Sequence, residues 1–512
     1  MKRVEVFRGE YYDSVTLMLV AKELKKIEGV ADATLNMATQ ANLHIMAYAS
    51  FPVDSIAASP DDLIIGIDCS DDLWPSVLEK AKTYLVSPPW KSREVSTEYN
   101  PKSLEGALSV LPEANLALIS LPGRYAAAQA SRALERGLNV MLYSDNVSLE
   151  EEIRLKTLAK EKGLLVMGPD CGTAVISGKG LGFSNVCPTG PVGIVSASGT
   201  GLQEVMVQLN RLGVGVKHGL GTGGRDVKSS VGGISSLAAI DALKDDSEIS
   251  VIVAIGKPPS PEVRQKITDS LKSSGKHAVA CFMGESARSD EPGLRYTTGL
   301  EECAVVTASL VRGEDPQLAR ERLWNDYREV ETRGRREGAG ISGRFLRGLF
   351  SGGTLCYEAA QVAGELLGEV YGNAPLREAL KLPDSLDPIE NSFIDYGEDE
   401  FTQGRLHPMI DPSFRASQLK IQAEDPSVAV VLLDIVLGYG SAANPSEEIV
   451  KAINSIDRKN GPLFVAYVCG TEGDPQVYGR QIDLLEKAGV YLFESNRRAA
   501  IFAAAAVAGK EK

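Results

Sequence analysis

The chain has 512 residues, 44% hydrophobic and 24% charged, which is enough for three or four packed domains of roughly 100–200 residues each. Its 54 basic and 68 acidic residues leave a formal net charge of −14, which argues against nucleic acid and membrane surfaces as partners. Seven scattered cysteines with no CxxC pair exclude a zinc or disulfide framework, and no run of about 18 apolar residues occurs, so the expectation is a soluble cytoplasmic protein.

Residues 1–97 read as a small α/β domain. KRVEVFR and ADATLNM are strands around the helix DSVTLMLVAKELKKIEG, and DLIIGIDC with the helix after LWPSV repeats the scheme, which suggests a ferredoxin-like unit. In residues 98–190 the strands LALISLP, NVMLYSD and LLVMGPD alternate with the helices YAAAQASRALERG and SLEEEIRLKTLAKEKG. Ser148 and Glu151 form a capping box at the second helix. The alternation predicts a parallel, doubly wound, Rossmann-like sheet. GPDCGTAV lies at the carboxyl end of its strand, where such sheets hold ligands, and makes Gly168, Pro169 and Asp170 candidate cofactor contacts.

Residues 191–315 and 345–512 read as two copies of one flavodoxin-like domain, joined by an Arg-rich helical surface linker at 316–344. GIVSASGTGLQEV matches GLFSGGTLCYEAA, and HGLGTGGRDV corresponds to FIDYGEDEF. SVIVAIGKPPSPEVRQKI matches VVLLDIVLGYGSAANPSEEIVKAI, and KHAVACFMGES matches GPLFVAYVCGTEGD. AIFAAAAVAG closes the chain as a packed helix.

The repeated Gly-rich turn carries the main chemical signal. A helix start presents unsatisfied N–H groups and a partial positive charge, so Ser198, Gly199, Thr200 and Gly201, with Gly353 and Thr354 in the second copy, are candidate phosphate or carboxylate contacts. The bland reading is a plain helix cap, but duplication favours two facing starts that clamp one anion. GxxxxGK[ST] is absent, so ATP is not held by a P-loop lysine. In GTGGRD, Gly223, Gly224 and Arg225 are candidate anion contacts, against a plain turn with a capping Asp226. GRLHPMID brings Arg405, His407 and Asp411 together as carboxylate holder, acid/base and orienting group, against a loop stiffened by Pro408 and Pro412. Lys257, Cys171, His218 and His277 read as structural, and no metal-ligand motif is present.

The order GPDCGT then VGIVSASGT resembles the succinyl-CoA synthetase α subunit across residues 101–310, while the block with NSFIDYG and LLDIVLGYG resembles the carboxyl-terminal domain of the β subunit. The resemblance implies a phosphate gripped by the turns Ser198–Thr200 and 437–440, which adds Gly438 and Gly440 to the candidate contacts. It also makes CoA a candidate cofactor. Over nearly its whole length the chain resembles the FdrA family, carried by SLEEEIRLKTLAKEKGLLVMGPDCGT, GTGGRDVKSSVGGISSL, FSGGTL and GRLHPMIDP. That resemblance implies a subunit of an oxamate carbamoyltransferase of ureide (allantoin) catabolism, which turns oxalurate and phosphate into oxamate and carbamoyl phosphate. Its partners would be those small anions and further subunits, identical or not. CFMGESARSDEPGLRYTTG contains no histidine where the α subunits carry a phosphohistidine, which suits carbamoyl phosphate chemistry. The alternatives are a CoA-dependent ligase completed by a partner chain and a non-catalytic scaffold subunit.

Overall fold

The computed structural model describes all residues except 11, 13, 40–41, 44–45, 48, 54–55, 60–61, 90–100, 404, 457–460 and 509–512. It divides into two units, Met1–Asn100 with Asp399–His407, and Pro101–Glu398 with Pro408–Lys512.

In the smaller unit, strands β1 (Lys2–Phe7), β2 (Val30–Met37) and β3 (Leu63–Cys69) form an antiparallel sheet in the order β1-β3-β2. The helices Ser14–Leu24 and Trp74–Val86 cover it. β3 separates the two strands that the first helix connects, which is the split βαβ pairing of a ferredoxin-like unit. Leu17, Val20, Leu24, Ile65, Ile67 and Val77 fill its core.

The larger unit starts with a parallel sheet of β4 (Leu116–Ile119), β5 (Asn139–Leu142) and β6 (Val166–Met167). The helices Gly123–Glu135 and Leu149–Glu161 connect the strands. Ser148 Oγ accepts the Glu151 N–H at 3.3 Å, while the Glu151 carboxylate turns to Arg154 instead of returning to the cap.

The next sheet holds β7 (Thr173–Ile176), β8 (Lys179–Gly182), β9 (Val192–Ser196), β10 (Val216–Gly221), β11 (Val251–Gly256), β12 (His277–Phe282) and β13 (Leu294–Thr297). The last sheet holds β14 (Phe345–Phe350), β15 (Tyr371–Gly372), β16 (Ser392–Asp395), β17 (Val428–Val436), β18 (Leu463–Cys469) and β19 (Tyr491–Phe493). The strands run β10-β9-β11-β12-β13 in one sheet and β16-β14-β17-β18-β19 in the other. This is one flavodoxin-like order used twice, as the repeated motifs imply. β11 and β17 are buried along their whole length, as interior parallel strands must be. Asp434 is the single charged residue in that apolar run of β17, so it must find a partner inside.

Two expectations are corrected. Residues 173–182, read from sequence as part of the Rossmann-like block, form the hairpin β7–β8, whose β7 pairs antiparallel with β10 through Val175 and Gly219 and so extends the first duplicated sheet. The segment expected as a surface linker is the helix Pro316–Gly338, and it packs along the C-terminal helix Asn496–Val507. Gly334 permits this contact, because a Cβ there would fall 2.6 Å from the Phe502 carbonyl oxygen.

Candidate anion site at two helix starts

The strand–turn–helix units of the two copies end face to face. In the first, Ser196 Oγ donates to the Ser198 carbonyl at 2.7 Å and accepts the Ser198 N–H at 3.1 Å. Ser198 then caps the helix Gly199–Arg211, its Oγ accepting the Gly201 N–H at 2.9 Å. In the second, the buried Asp434 does the pinning. Its carboxylate accepts the N–H groups of Ser351 and Gly352, both at 2.8 Å, and the Ser351 hydroxyl at 2.9 Å. Arg415, 2% exposed, balances that charge through an ion pair. The turn thus held opens the helix Gly353–Leu367.

The two helix starts touch. The hydroxyls of Ser198 and Thr354 share a hydrogen bond, and the Thr354 N–H donates to Thr200 Oγ1 at 3.3 Å. The first N–H groups of a helix have no partner within it. Those of Gly199, Thr200 and Gly353 also find no acceptor among the described residues. Two dipole ends and three such amides thus meet in one place, an arrangement whose partial positive charge would favour a small anion.

Two side chains at the sheets' carboxyl edges border it. Lys257, one residue past β11, places its ammonium 5.2 Å from the ring centre of Tyr357 on the second helix. Asp395 ends β16, and a Cβ added to Gly353 would lie 2.5 Å from its Oδ2. Burial first, and the nearby Glu398 charge second, push this carboxyl up to about 7. Asp395, Asp434 and Arg415 were not among the residues singled out from sequence. The signals were there: a charge closing the strand SFID, and one interrupting VAVVLLDIV.

The glycines of the 168–170 and 223–224 turns lie against neighbouring backbone. A Cβ on Gly223, whose φ is +81°, would strike the Pro169 carbonyl oxygen, and one on Gly168 (φ +99°) the Leu142 carbonyl oxygen. A Cβ on Gly224 would lie 3.8 Å from the Ala197 carbonyl oxygen, in the turn before Ser198. Asp170, at φ +55°, donates its N–H to the Ser144 carbonyl at 3.0 Å.

Other candidates are placed elsewhere. The 437–440 turn is not the second arm of the clamp. The Gly438 N–H donates to Gln476 Oε1 at 3.0 Å and the Tyr439 N–H to the Ser184 carbonyl at 2.8 Å, while a Cβ on Gly440 would press on Phe183. Arg225 pairs through Nε with Glu152 at 2.7 Å and donates from Nη2 to the Val147 carbonyl at 2.7 Å, with its side chain 46% exposed. Asp226 accepts from Ser235, Ser236 and the fully buried Lys156, so it anchors the start of the helix Ile234–Asp245. Arg405 and His407 fall in the smaller unit, whereas Asp411 falls in the larger one and accepts the Ser413 N–H at 3.1 Å. The Asp411 carboxylate thus takes the N–H of the first residue of the helix Ser413–Glu424. Burial raises the Cys171 thiol to about 12, too high for a nucleophile. His218 sits between the Ser177 N–H and Asp246, and His277 is exposed at the start of β12.

Comparison with known proteins agrees with this architecture. Residues 349–506 match the CoA-ligase family, residues 189–284 the CoA binding domain family, and residues 1–101 the AllF heavy metal-associated domain family. Among the described residues, no group of three or more His, Cys, Asp or Glu is placed to hold a metal ion. No helix among them is long and apolar enough to cross a membrane. The α2 subunit of the ADP-forming succinate–CoA ligase of Archaeoglobus fulgidus is 28% identical over 149 residues, covering 28% of this chain and 50% of that subunit. The malate–CoA ligase α subunit of Methylorubrum extorquens is 28% identical over 146 residues, covering 27% and 48%. The crystal structure of PH0766 from Pyrococcus horikoshii, 16% identical, covers 77% of this chain and 83% of its own with a TM-score of 0.32.

Fold, facing helix starts and matched domains define a protein of the succinyl-CoA synthetase-like superfamily, built from CoA-binding and CoA-ligase domains. The Escherichia coli protein YahF is 38% identical over 514 residues and 98% of each chain. The chain belongs to the family of YahF.

Proposed function

We propose that the chain is an FdrA-type subunit of an acyl-CoA synthetase that holds phosphate, or the phosphoryl end of an acyl phosphate, between its two duplicated helix starts. The observation that carries this is the meeting of Ser198 with Thr354 across the two copies, which brings the open amides of both helices to one point. These amides are preorganised for the charge that develops as phosphate leaves an acyl carbon. Lys257 adds a cation at the rim. CoA, when bound, would supply the thiol that accepts the acyl group, and Gly224, with nothing nearer its Cβ position than the Ala197 carbonyl oxygen at 3.8 Å, leaves room for close backbone approach there. A further subunit, or a second copy of this chain, would complete the enzyme.

One observation favours a second reading, transfer of carbamoyl between oxamate and phosphate. Residues 281–299, from the end of β12 through β13, contain no histidine to carry a phosphoryl group, and such a transfer needs none. The matched family descriptions name CoA ligation and not carbamoyl transfer.

Calorimetric titration of the purified chain with CoA, phosphate and carbamoyl phosphate separates the readings. Micromolar CoA binding is the expected result. Binding of carbamoyl phosphate without CoA would replace the first reading by the second. For either reading, the double variant Ser198→Ala, Thr354→Ala is expected to lose phosphate affinity by about 30-fold, two hydroxyl contacts at roughly 1 kcal/mol each. An unchanged affinity would remove the clamp from both.

A further inference from the structure

The packing of the fold leaves one half of the Asp395 carboxyl group unused. The residue is 4% exposed, and Oδ1 accepts the Gly397 N–H at 2.8 Å. Oδ2 has no donor among the described residues and is aimed at the start of the second duplicated helix, 2.5 Å from the position of a Cβ on Gly353. The charged groups facing Asp395 are Glu398 beyond its own strand, Asp434 on β17 and Lys257 beyond β11. Arg415 neutralises Asp434, and the buried Cys356 thiol is the titratable neighbour on the helix. An ordinary aspartate is fully ionised near neutrality, whereas this one, raised to about 7 by burial and by Glu398, changes charge there.

We propose, on the basis of the anion-clamp reading above, that Asp395 is the proton-transfer residue of the clamp and shares a proton with the tetrahedral anion held on the amides of Gly199, Thr200 and Gly353. An ionised carboxylate beside a dianion is repelled, whereas the neutral acid donates a hydrogen bond to it. In acyl transfer from an acyl phosphate to a thiol, an S–C bond forms while the C–O bond to phosphate breaks, and that bond's electron pair passes to the phosphate oxygen. The acid form of Asp395 gives its proton to this oxygen. The proton released by the thiol then restores the acid, so the residue ends the cycle as it began.

Sulfate is the probe, because it is a tetrahedral dianion that does not itself titrate near neutrality. The full chain is titrated calorimetrically at about pH 8 in two buffers of different ionisation enthalpy, which counts the protons taken up. Wild type is expected to take up close to one proton per sulfate, with affinity falling about tenfold per pH unit above about pH 7. Asp395→Asn is expected to bind sulfate with neither proton uptake nor this pH dependence. Sulfate binding by wild type without proton uptake would overturn the role of Asp395 and leave the clamp standing. Undiminished uptake in Asp395→Asn would assign the proton elsewhere, with the same consequence. Absence of sulfate binding by wild type would overturn the clamp itself and the inference with it. The wild-type proton count decides even if the variant fails to fold.

Discussion

Glu204 and Glu358 hold the same place in the two copies, six residues after Ser198 and Gly352, and each is 1% exposed. Their surroundings differ. Glu358 accepts from the Leu300 N–H at 2.9 Å and Asn496 Nδ2 at 2.8 Å, whereas Glu204 takes Gln208 Nε2 at 3.0 Å and leaves Oε2 without a partner. Burial, and then the charge of Glu358, raise Glu204 to about 8. The folded chain therefore holds this proton more tightly than the unfolded one. The stability it contributes is full below the unfolded carboxylate range and is lost as pH rises through about 8. Thermal melts of wild type are expected to fall in midpoint between about pH 5 and 8. Glu204→Gln is expected to remove part of that slope, on the order of 1.4 kcal/mol per pH unit, and to melt higher than wild type at the alkaline end. Parallel pH profiles for the two proteins would show that Glu204 is not the group responsible.

At the scale of elements, the two copies secure equivalent turns by different means. Ser196 fixes the first through neutral hydrogen bonds made by one hydroxyl, while Asp434 fixes the second through three donors and the Arg415 ion pair. Losing a neutral hydrogen bond costs about 1 kcal/mol, whereas leaving Arg415 as a buried unpaired charge costs about 3–5 kcal/mol. With two such bonds lost in Ser196→Ala, urea unfolding should separate it from Asp434→Ala by at least about 1 kcal/mol, and only the second should loosen the start of the Gly353–Leu367 helix. Equal costs would mean that Arg415 finds another partner.

The repeated strand–turn–helix units and their caps were legible in sequence, because their signals lie within a few residues of one another. The resemblance pointed to 437–440 as the facing turn, whereas the turn that meets Ser198 and Thr200 is the one at 352–354. The groups that consume the 438–439 amides are the Gln476 side chain and the Ser184 carbonyl, which are distant in sequence. The same limit hid Arg415 as the partner of Asp434.

At the scale of the whole molecule, the clamp lies on a seam that the core does not respect. One hydrophobic cluster contains Val192, Leu202 and Val253 of the first copy together with Leu355, Leu432 and Phe502 of the second. The helices Gly199–Arg211 and Gly353–Leu367 pack on each other within it. Neither copy buries its clamp helix without the other, so the two should open as one cooperative body. In native-state hydrogen exchange, the slowest amides of β9 and β14 are then expected to share a single opening free energy. A ligand bound at the seam binds only the closed pair and adds RT ln(1 + [L]/Kd) to that common value. Saturating sulfate should accordingly slow exchange in β9 and β14 by the same factor, set by the affinity that calorimetry measures. Protection confined to β9 would place the anion on the first helix start alone, and the second copy would then be a buttress for the clamp, not one of its arms.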